Sequence, residues 1–143
     1  ISSELRPSLL DDLGLMAAME WQLSEFEKRS DIQTRFIHPL EEVQLPDTVK
    51  TALFRIFQES LTNVARHSEA KKVTVTLAYK PDSLFLSIAD NGRGFDNQKA
   101  GDRRTLGILG MNERTSMIAG TYEIESTPGK GTLVSVKVPF IKD

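Results

Sequence analysis

The sequence contains no cysteine. Disulfides, thiolate metal sites and cysteine nucleophiles are therefore excluded. Histidine is scarce: His38 and His67 are the only two in 143 residues, which rules out a multi-histidine metal site. No apolar run approaches the length of a membrane span, and no signal peptide is visible. No sign of charge dominates either. Eighteen Lys and Arg against 20 Asp and Glu leave a net charge of -2, which gives no bulk attraction to nucleic acid or anionic lipid. Two phosphate-binding loops are missing, the Gly-x-x-x-x-Gly-Lys-Ser/Thr loop and the Gly-x-Gly-x-x-Gly turn between strand and helix. A Ser/His/Asp triad fails as well, because no serine sits on a strand-to-helix elbow.

What is present suits one globular domain with a real core: 39% hydrophobic and 27% charged residues. The chain begins at Ile1 rather than methionine, and a segment of a longer protein is expected. Residues 4–29 read mostly as helix. Leu5, Leu9, Met16, Met19, Leu23 and Phe26 recur at helical spacing, and Asp11, Asp12 and Gly14 predict a kink or break. Residues 15–29 read as a helix packed on its own domain, whereas residues 1–12 read equally as part of an inter-chain helix. Ile32, Thr34 and Phe36 mark a strand-like stretch, and Pro39 and Pro46 punctuate a loop. His38, next to Pro39, reads as structural or incidental.

The strongest helical pattern starts at Pro46-Asp47 and is predicted to run to about His67, with Leu53, Ile56, Phe57, Leu61 and Val64 as its buried stripe. Glu59, Asn63, Arg66 and His67 fall at spacings of three and four, on a flank of that stripe. Such a group is either a solvated face or one edge of a pocket. Two alternating runs follow, over residues 72–79 and 84–90, joined by the turn Pro81-Asp82-Ser83. Strand alternation places Leu84, Leu86, Ile88 and Asp90 on one face. A carboxylate ending an apolar row is costly unless a donor pairs with it, either from the protein or from a ligand.

Residues 90–111 hold the pattern together. They open Asp90-Asn91-Gly92-Arg93-Gly94-Phe95 and close Leu106-Gly107-Ile108-Leu109-Gly110-Met111, with a polar stretch between. The glycines are either connecting turns or places where the backbone approaches a ligand. The polar stretch, residues 96–104, is a candidate lid, in which Lys99, Arg103 and Arg104 either reach phosphates or, as the commoner case for such charges, are solvated. A short helix from Met111 closed by Gly120 is expected next, with the second glycine pair at its start, where free N–H groups favour an anion. Strands over 122–126 and 132–139 flank the turn Thr127-Pro128-Gly129-Lys130-Gly131. Thr132, Val134, Val136 and Val138 share a face, so a hydroxyl joins an apolar row as Asp90 does.

The order Glu59-Ser-Leu-Thr-Asn63-Val-Ala-Arg66-His67, then Asp90-Asn-Gly92-Arg-Gly94-Phe, then Gly107-Ile-Leu-Gly110-Met111, then Gly131-Thr132 resembles the ATP-binding catalytic domain of sensor histidine kinases. Within them it looks like the nitrate-sensor-like subfamily, as does the front end Leu5-Arg6-Pro7-Ser-Leu-Leu-Asp11-Asp12-Leu-Gly14-Leu. The resemblance implies an α+β fold: a two-layer sandwich in which a mixed, mostly antiparallel sheet carries helices on one face. It divides the chain into residues 1–12, the end of the dimerisation and phosphoacceptor region with its linker, and residues 13–143, the catalytic domain.

It also implies the chemistry. Asp90 accepts from the adenine amino group, Gly92 and Gly94 let the backbone approach the base, and Thr132 bonds near the same edge, directly or through water. Asn63 holds Mg²⁺, and Glu59 assists by orienting water or accepting a proton. Arg66 and His67 meet the phosphates, and Gly107, Gly110 and Met111 belong to the helix start that receives them. The implied reaction is transfer of the γ-phosphoryl group of Mg-ATP to a histidine outside this chain. Neither His38 nor His67 matches that histidine, so the chain alone is expected to bind ATP without autophosphorylating. Implied partners are its own dimerisation and histidine phosphotransfer domain and a response regulator with a helix-turn-helix output. Direct nucleic-acid binding and membrane insertion are not expected. The expected setting is the cytoplasm, this segment monomeric, its parent dimeric and membrane-anchored. Two alternatives stand beside this reading: an anti-sigma-factor-like serine kinase, and a non-catalytic, nucleotide-gated binding module.

Overall fold

The computed structural model describes residues 8–42, 44–95 and 102–139, with the backbone alone at 8–9 and 102–106. The expected break in the first helical stretch is there. Helix α1 (Ser8–Leu13) and helix α2 (Leu15–Ser30) are separated by Gly14, whose φ is +95°. The Glu42 carboxylate, from the loop after the first strand, accepts from Met16 N at 2.7 Å and Ala17 N at 3.3 Å. It thereby serves as a distant cap for the free amides of the first turn of α2. A Cβ on Gly14 would lie 2.6 Å from that side chain. Leu15, Met16, Ala18, Met19, Leu23 and Phe26 bury the apolar stripe of α2, and Leu10 of α1 is buried with them.

Strand β1 (Gln33–Ile37) leads to helix α3 (Asp47–Asn63), whose stripe is Leu53, Phe54, Ile56, Phe57 and Leu61. The expected helix to His67 is corrected at its end. From Val64 to Ser68 the backbone widens into a π turn. The Ser68 hydroxyl donates to the Val64 carbonyl at 2.7 Å and accepts from Ala70 N at 3.0 Å, so the wide turn is tied on both sides. Glu69, at φ +54°, then ends it. Wide turns of this kind are rare and cluster at functional sites.

Strands β2 (Lys72–Lys80) and β3 (Ser83–Asp90) form the expected hairpin. Helix α4 (Asp102–Met117) follows, then β4 (Thr121–Ser126) and β5 (Thr132–Pro139). The sheet order is β1-β2-β3-β5-β4, parallel between β1 and β2 and antiparallel elsewhere. Val73, Val75 and Leu77, Leu84, Leu86 and Ile88, and Val134, Val136 and Val138 form the buried face, in one core with the stripes of α2 and α3. This is the α+β sandwich with a mixed, mostly antiparallel sheet.

Helix α4 departs from expectation at both ends. It starts at Asp102 instead of Met111, so Gly107 and Gly110 lie inside it rather than opening it. An acidic residue at the start and the strong helix formers Arg103, Arg104, Leu106 and Leu109 offset the cost of about 1 kcal/mol per internal glycine. At the other end the left-handed residue is Ala119, φ +59°, while Gly120 N donates to Thr115 O at 2.8 Å. Gly120 is required for another reason. A Cβ there would sit 2.9 Å from the Lys137 carbonyl oxygen on β5. Among the described residues no helix is long and apolar enough to cross a membrane.

Candidate functional site

One pocket opens between α3, the ends of β3 and β5, and α4. Its walls are mostly apolar: Val64, Ile88, Phe95, Ile108, Ile124 and Val134. Asn63, His67, Asp90 and Thr132 supply polar groups. An apolar cleft with a few convergent polar groups is the usual form of a small-molecule site.

Asp90 ends the row Leu84, Leu86, Ile88 as its phase requires, half-buried beside three buried side chains. Its Oδ1 accepts from Gly92 N at 2.8 Å, and the Thr132 backbone N–H also donates to the carboxylate. Burial pushes its pKa above the ordinary carboxylate value, and the two backbone bonds pull it partly back. Both donors come from the immediate turn and the adjacent strand, so the carboxylate keeps accepting capacity toward the pocket it lines.

The turn after Asp90 is tightly tied. Asn91 Oδ1 accepts from Lys71 N and Lys72 N at 2.9 and 3.0 Å, and Arg93 N donates to Ser68 O at 2.7 Å. Arg93 Nε donates to His67 O at 2.8 Å, and Gly129 N to Arg93 O at 2.6 Å. The turn therefore joins the π segment on one side to the β4–β5 hairpin on the other. Gly92 is buried, and a Cβ there would lie 2.3 Å from Ser68 O. Gly94 combines φ +65° with a Cβ position 2.2 Å from Thr127 O. No side chain fits at either position.

The other expected site residues separate into three groups. Glu59 and Asn63 face Gly107 across the α3–α4 gap: a Cβ on Gly107 would be 3.6 Å from Glu59 Oε2 and 3.9 Å from Asn63 Nδ2. Arg66 is not on the flank assigned to it. The π turn changes the phase, so His67 lines the pocket while Arg66 is exposed and lines a separate groove with Gln22, Phe26, Arg29 and Gln58. Gly110 is exposed with nothing near its Cβ position, and Met111 is a core residue. Met111 Sδ accepts from Ser60 Oγ at 3.5 Å and Tyr122 OH at 3.9 Å. The lid stretch 96–101 and the side chains of Arg103 and Arg104 lie outside the described residues.

Sequence reading missed two neighbours of the site. Ser126, on β4, pairs in register with Thr132, and their hydroxyl oxygens are 2.7 Å apart. Tyr122 lies near enough to Glu59 to feel its charge. Burial and, secondarily, that carboxylate push its phenol far up, which keeps the O–H protonated. Ser126 was legible only as one of several serines. Tyr122 and Glu59, 63 residues apart in the chain, carried no local signal.

Comparison with known proteins shows the family. Residues 48–142 match the family model described as histidine kinase-, DNA gyrase B-, and HSP90-like ATPase. The chain is 41% identical over 141 residues to the sensor histidine kinase LiaS of Bacillus subtilis, covering 97% of this chain and 38% of that protein. It is 38% identical over 140 residues to the histidine-protein kinase/phosphatase DegS of the same organism, covering 94% and 36%. The oxygen sensor histidine kinase NreB of Staphylococcus carnosus is 34% identical over 140 residues, covering 98% and 40%. The chain thus spans well under half the length of these curated relatives. In fold it is similar to the histidine kinase domain of a blue-light activated kinase from Erythrobacter litoralis, with a TM-score of 0.72 and 19% identity over 87% of this chain and 60% of that one. It is also similar to the mycobacterial sensor histidine kinase MprB, with a TM-score of 0.69 and 19% identity over 90% and 95%. With its matched stretch running through α3, the Asp90 turn and the β4–β5 hairpin, the chain belongs to the family of histidine kinase-, DNA gyrase B- and HSP90-like ATPases, and the curated relatives named above are histidine kinases.

Proposed function

We propose that this chain is the ATP-binding catalytic part of a sensor histidine kinase, which binds Mg-ATP and passes the γ-phosphoryl group to a histidine on a phosphoacceptor domain outside residues 13–143. The observation that carries the reading is Asp90: a half-buried carboxylate at the end of an apolar strand face, lining an apolar pocket with accepting capacity left over. An exocyclic amine on a flat apolar base supplies the matching donor, and Ile88, Val134 and Ile108 supply the contact surface. Thr132 stands beside Asp90 on the neighbouring strand, to bond the same base edge directly or through water.

Asn63 and Glu59 suit the metal. A hard divalent cation takes oxygen ligands, and Mg²⁺ prefers few from protein and the rest from phosphate and water. Among the described residues no group of three or more acidic or histidine side chains is placed to hold an ion alone, so Asn63 and Glu59 leave positions for phosphate oxygens. When bound there, Mg²⁺ neutralises phosphate charge. Glu59 orients a water or takes the proton of the acceptor histidine, and His67, on the pocket wall, donates to phosphate. The catalytic work is positioning and charge neutralisation. Arg66 reaches phosphate only by swinging over the π turn, so the role assigned to it passes first to His67.

Residues 1–12 are proposed to lead in from the dimerisation helices, and the partners to be that dimeric phosphoacceptor domain and a response regulator with a helix-turn-helix output. The parent is proposed to be membrane-anchored with this part in the cytoplasm. The serine-kinase and binding-only alternatives gain nothing from the relatives, all three of which are named as histidine kinases.

Calorimetric titration of ATP with and without Mg²⁺ tests the reading. Binding is expected to need Mg²⁺ and to weaken about tenfold or more in Asp90→Asn, the scale of a lost charge-assisted hydrogen bond. No phosphohistidine is expected until a histidine-bearing dimerisation domain is supplied. Binding indifferent to both Mg²⁺ and Asp90 would sink it.

A further inference from the structure

Ser126 lies outside the base pocket but touches two things that shape it. Its Oγ accepts from Phe95 N at 2.8 Å, where the chain leaves the Asp90 turn, and it is within 3.2 Å of Gly131 O and 2.7 Å of Thr132 Oγ1. The protons can be counted. Ser126 has one to donate and two lone pairs to accept with, and Thr132 likewise. Among the described residues, Ser126 is the one hydrogen-bond partner of Thr132 Oγ1. Gly131 O, by contrast, can only accept; Thr127 N reaches it at 3.4 Å, and its contact with Ser126 is a hydrogen bond only if Ser126 gives its proton. One arrangement makes all three Ser126 contacts hydrogen bonds at once: Phe95 N–H and Thr132 O–H both donate to Ser126, and Ser126 donates to Gly131 O.

That arrangement has a consequence for the pocket. With its proton committed to Ser126, Thr132 presents only lone pairs. Asp90 beside it, in register across β3 and β5, is also acceptor-only when ionised. We infer that Ser126 is a positioning residue that sets nucleotide choice: by taking the Thr132 proton it makes the base-reading pair wholly accepting, which favours a purine bearing an amine at its edge and rejects one bearing a carbonyl. A site rejects an analogue most strongly where its groups would face unpaired or like partners. The inference rests on the reading that this pocket takes the base of ATP, and specifies what keeps 6-oxo purine nucleotides out.

The test compares ATP and inosine triphosphate, each with Mg²⁺, by calorimetric titration of this chain and a set of variants. In Ser126→Ala the Thr132 hydroxyl is released to donate to the 6-oxo group. The preference for ATP over inosine triphosphate is expected to fall about fivefold, the worth of one neutral hydrogen bond. Ser126→Thr keeps a hydroxyl at the same place and is expected to restore the preference. In a Thr132→Val background, Ser126→Ala should no longer change the ratio. A merely structural Ser126, anchoring Phe95, would weaken both nucleotides equally and leave the ratio alone. That result overturns the inference. If Ser126→Ala does not fold, Ser126→Cys, whose thiol is a weak partner, carries the same expectation. ATP binding with an unchanged ratio refutes the role of Ser126 only, while failure of the unaltered chain to bind ATP refutes the underlying reading and the inference with it.

Discussion

The two ends of the pocket are built to different tolerances. At the Asp90 end, proposed to take the base, backbone meets backbone: a Cβ on Gly131 would fall 2.1 Å from the Asp90 carbonyl oxygen, at a φ of +82°. At the end formed by α3 and α4, a Cβ on Gly107 would meet Glu59 and Asn63 only at ordinary van der Waals distance, and one on Gly110 would meet nothing. Glycine is thus a geometric necessity at the first end and a local choice at the second. A flat base edge needs acceptors fixed to within tenths of an ångström, which strand ends deliver. The triphosphate and cation proposed for the other end would need room and adaptable side chains, which a gap between helices provides.

Substitutions can break that contrast in order of size. Gly131→Ala should cost on the order of 3 kcal/mol of stability, from left-handed strain and backbone overlap together, and should abolish ATP binding. Denaturant unfolding with calorimetry would show both. Asn63→Ala comes next. It should leave the melting temperature within a few degrees of the unaltered chain but remove most of the Mg²⁺ dependence of ATP binding, so that titrations with and without the ion nearly coincide. An unchanged Mg²⁺ dependence would take Asn63 out of the metal site. Gly110→Ala is the smallest and of opposite sign. It should stabilise α4 by up to about 1 kcal/mol, with ATP affinity unchanged.

Asp90→Asn sharpens the contrast from another side. The folded pKa of Asp90 is raised, first by burial, so its ionised form costs stability in the empty protein. The sign follows. Below the ordinary carboxylate range Asp90 is protonated in folded and unfolded chains alike, and the two proteins should melt together apart from a constant offset. As pH rises through the elevated folded value, the unaltered chain should lose stability relative to Asp90→Asn. Thermal melts across pH 3 to 7, without nucleotide, check this. A gap that closes rather than opens with rising pH would mean that the two backbone donors outweigh burial.

The sequence exposed much of this because its strongest signals are periodic. Alternation in β3 and β5 placed Asp90 and Thr132 at the ends of apolar rows, where the structure has them. Gly14 marked the α1–α2 break. Three features escaped. Two glycines near each other read as a helix start, yet Gly107 and Gly110 lie within α4, because helix formers on both sides outweigh them. Helical phase was carried unbroken through residues 64–68, although a single wide turn resets it and no residue type announces such a turn. Ser126 and Tyr122 act through pairing across strands and packing between layers, which spacing along one element does not report.

The π turn has an evolutionary reading. Arg66 and His67 are adjacent in sequence, yet one looks into the pocket wall and the other into the groove beside α2. Which of them faces the pocket depends on the length of the segment between Asn63 and Glu69, held in its wide form by the Ser68 hydroxyl. A relative with the same residue types but one residue fewer there would close an ordinary turn and present a different side chain to the pocket. Deleting one residue of that segment, rather than substituting one, is then the change expected to exchange the imidazole for another side chain at the same wall.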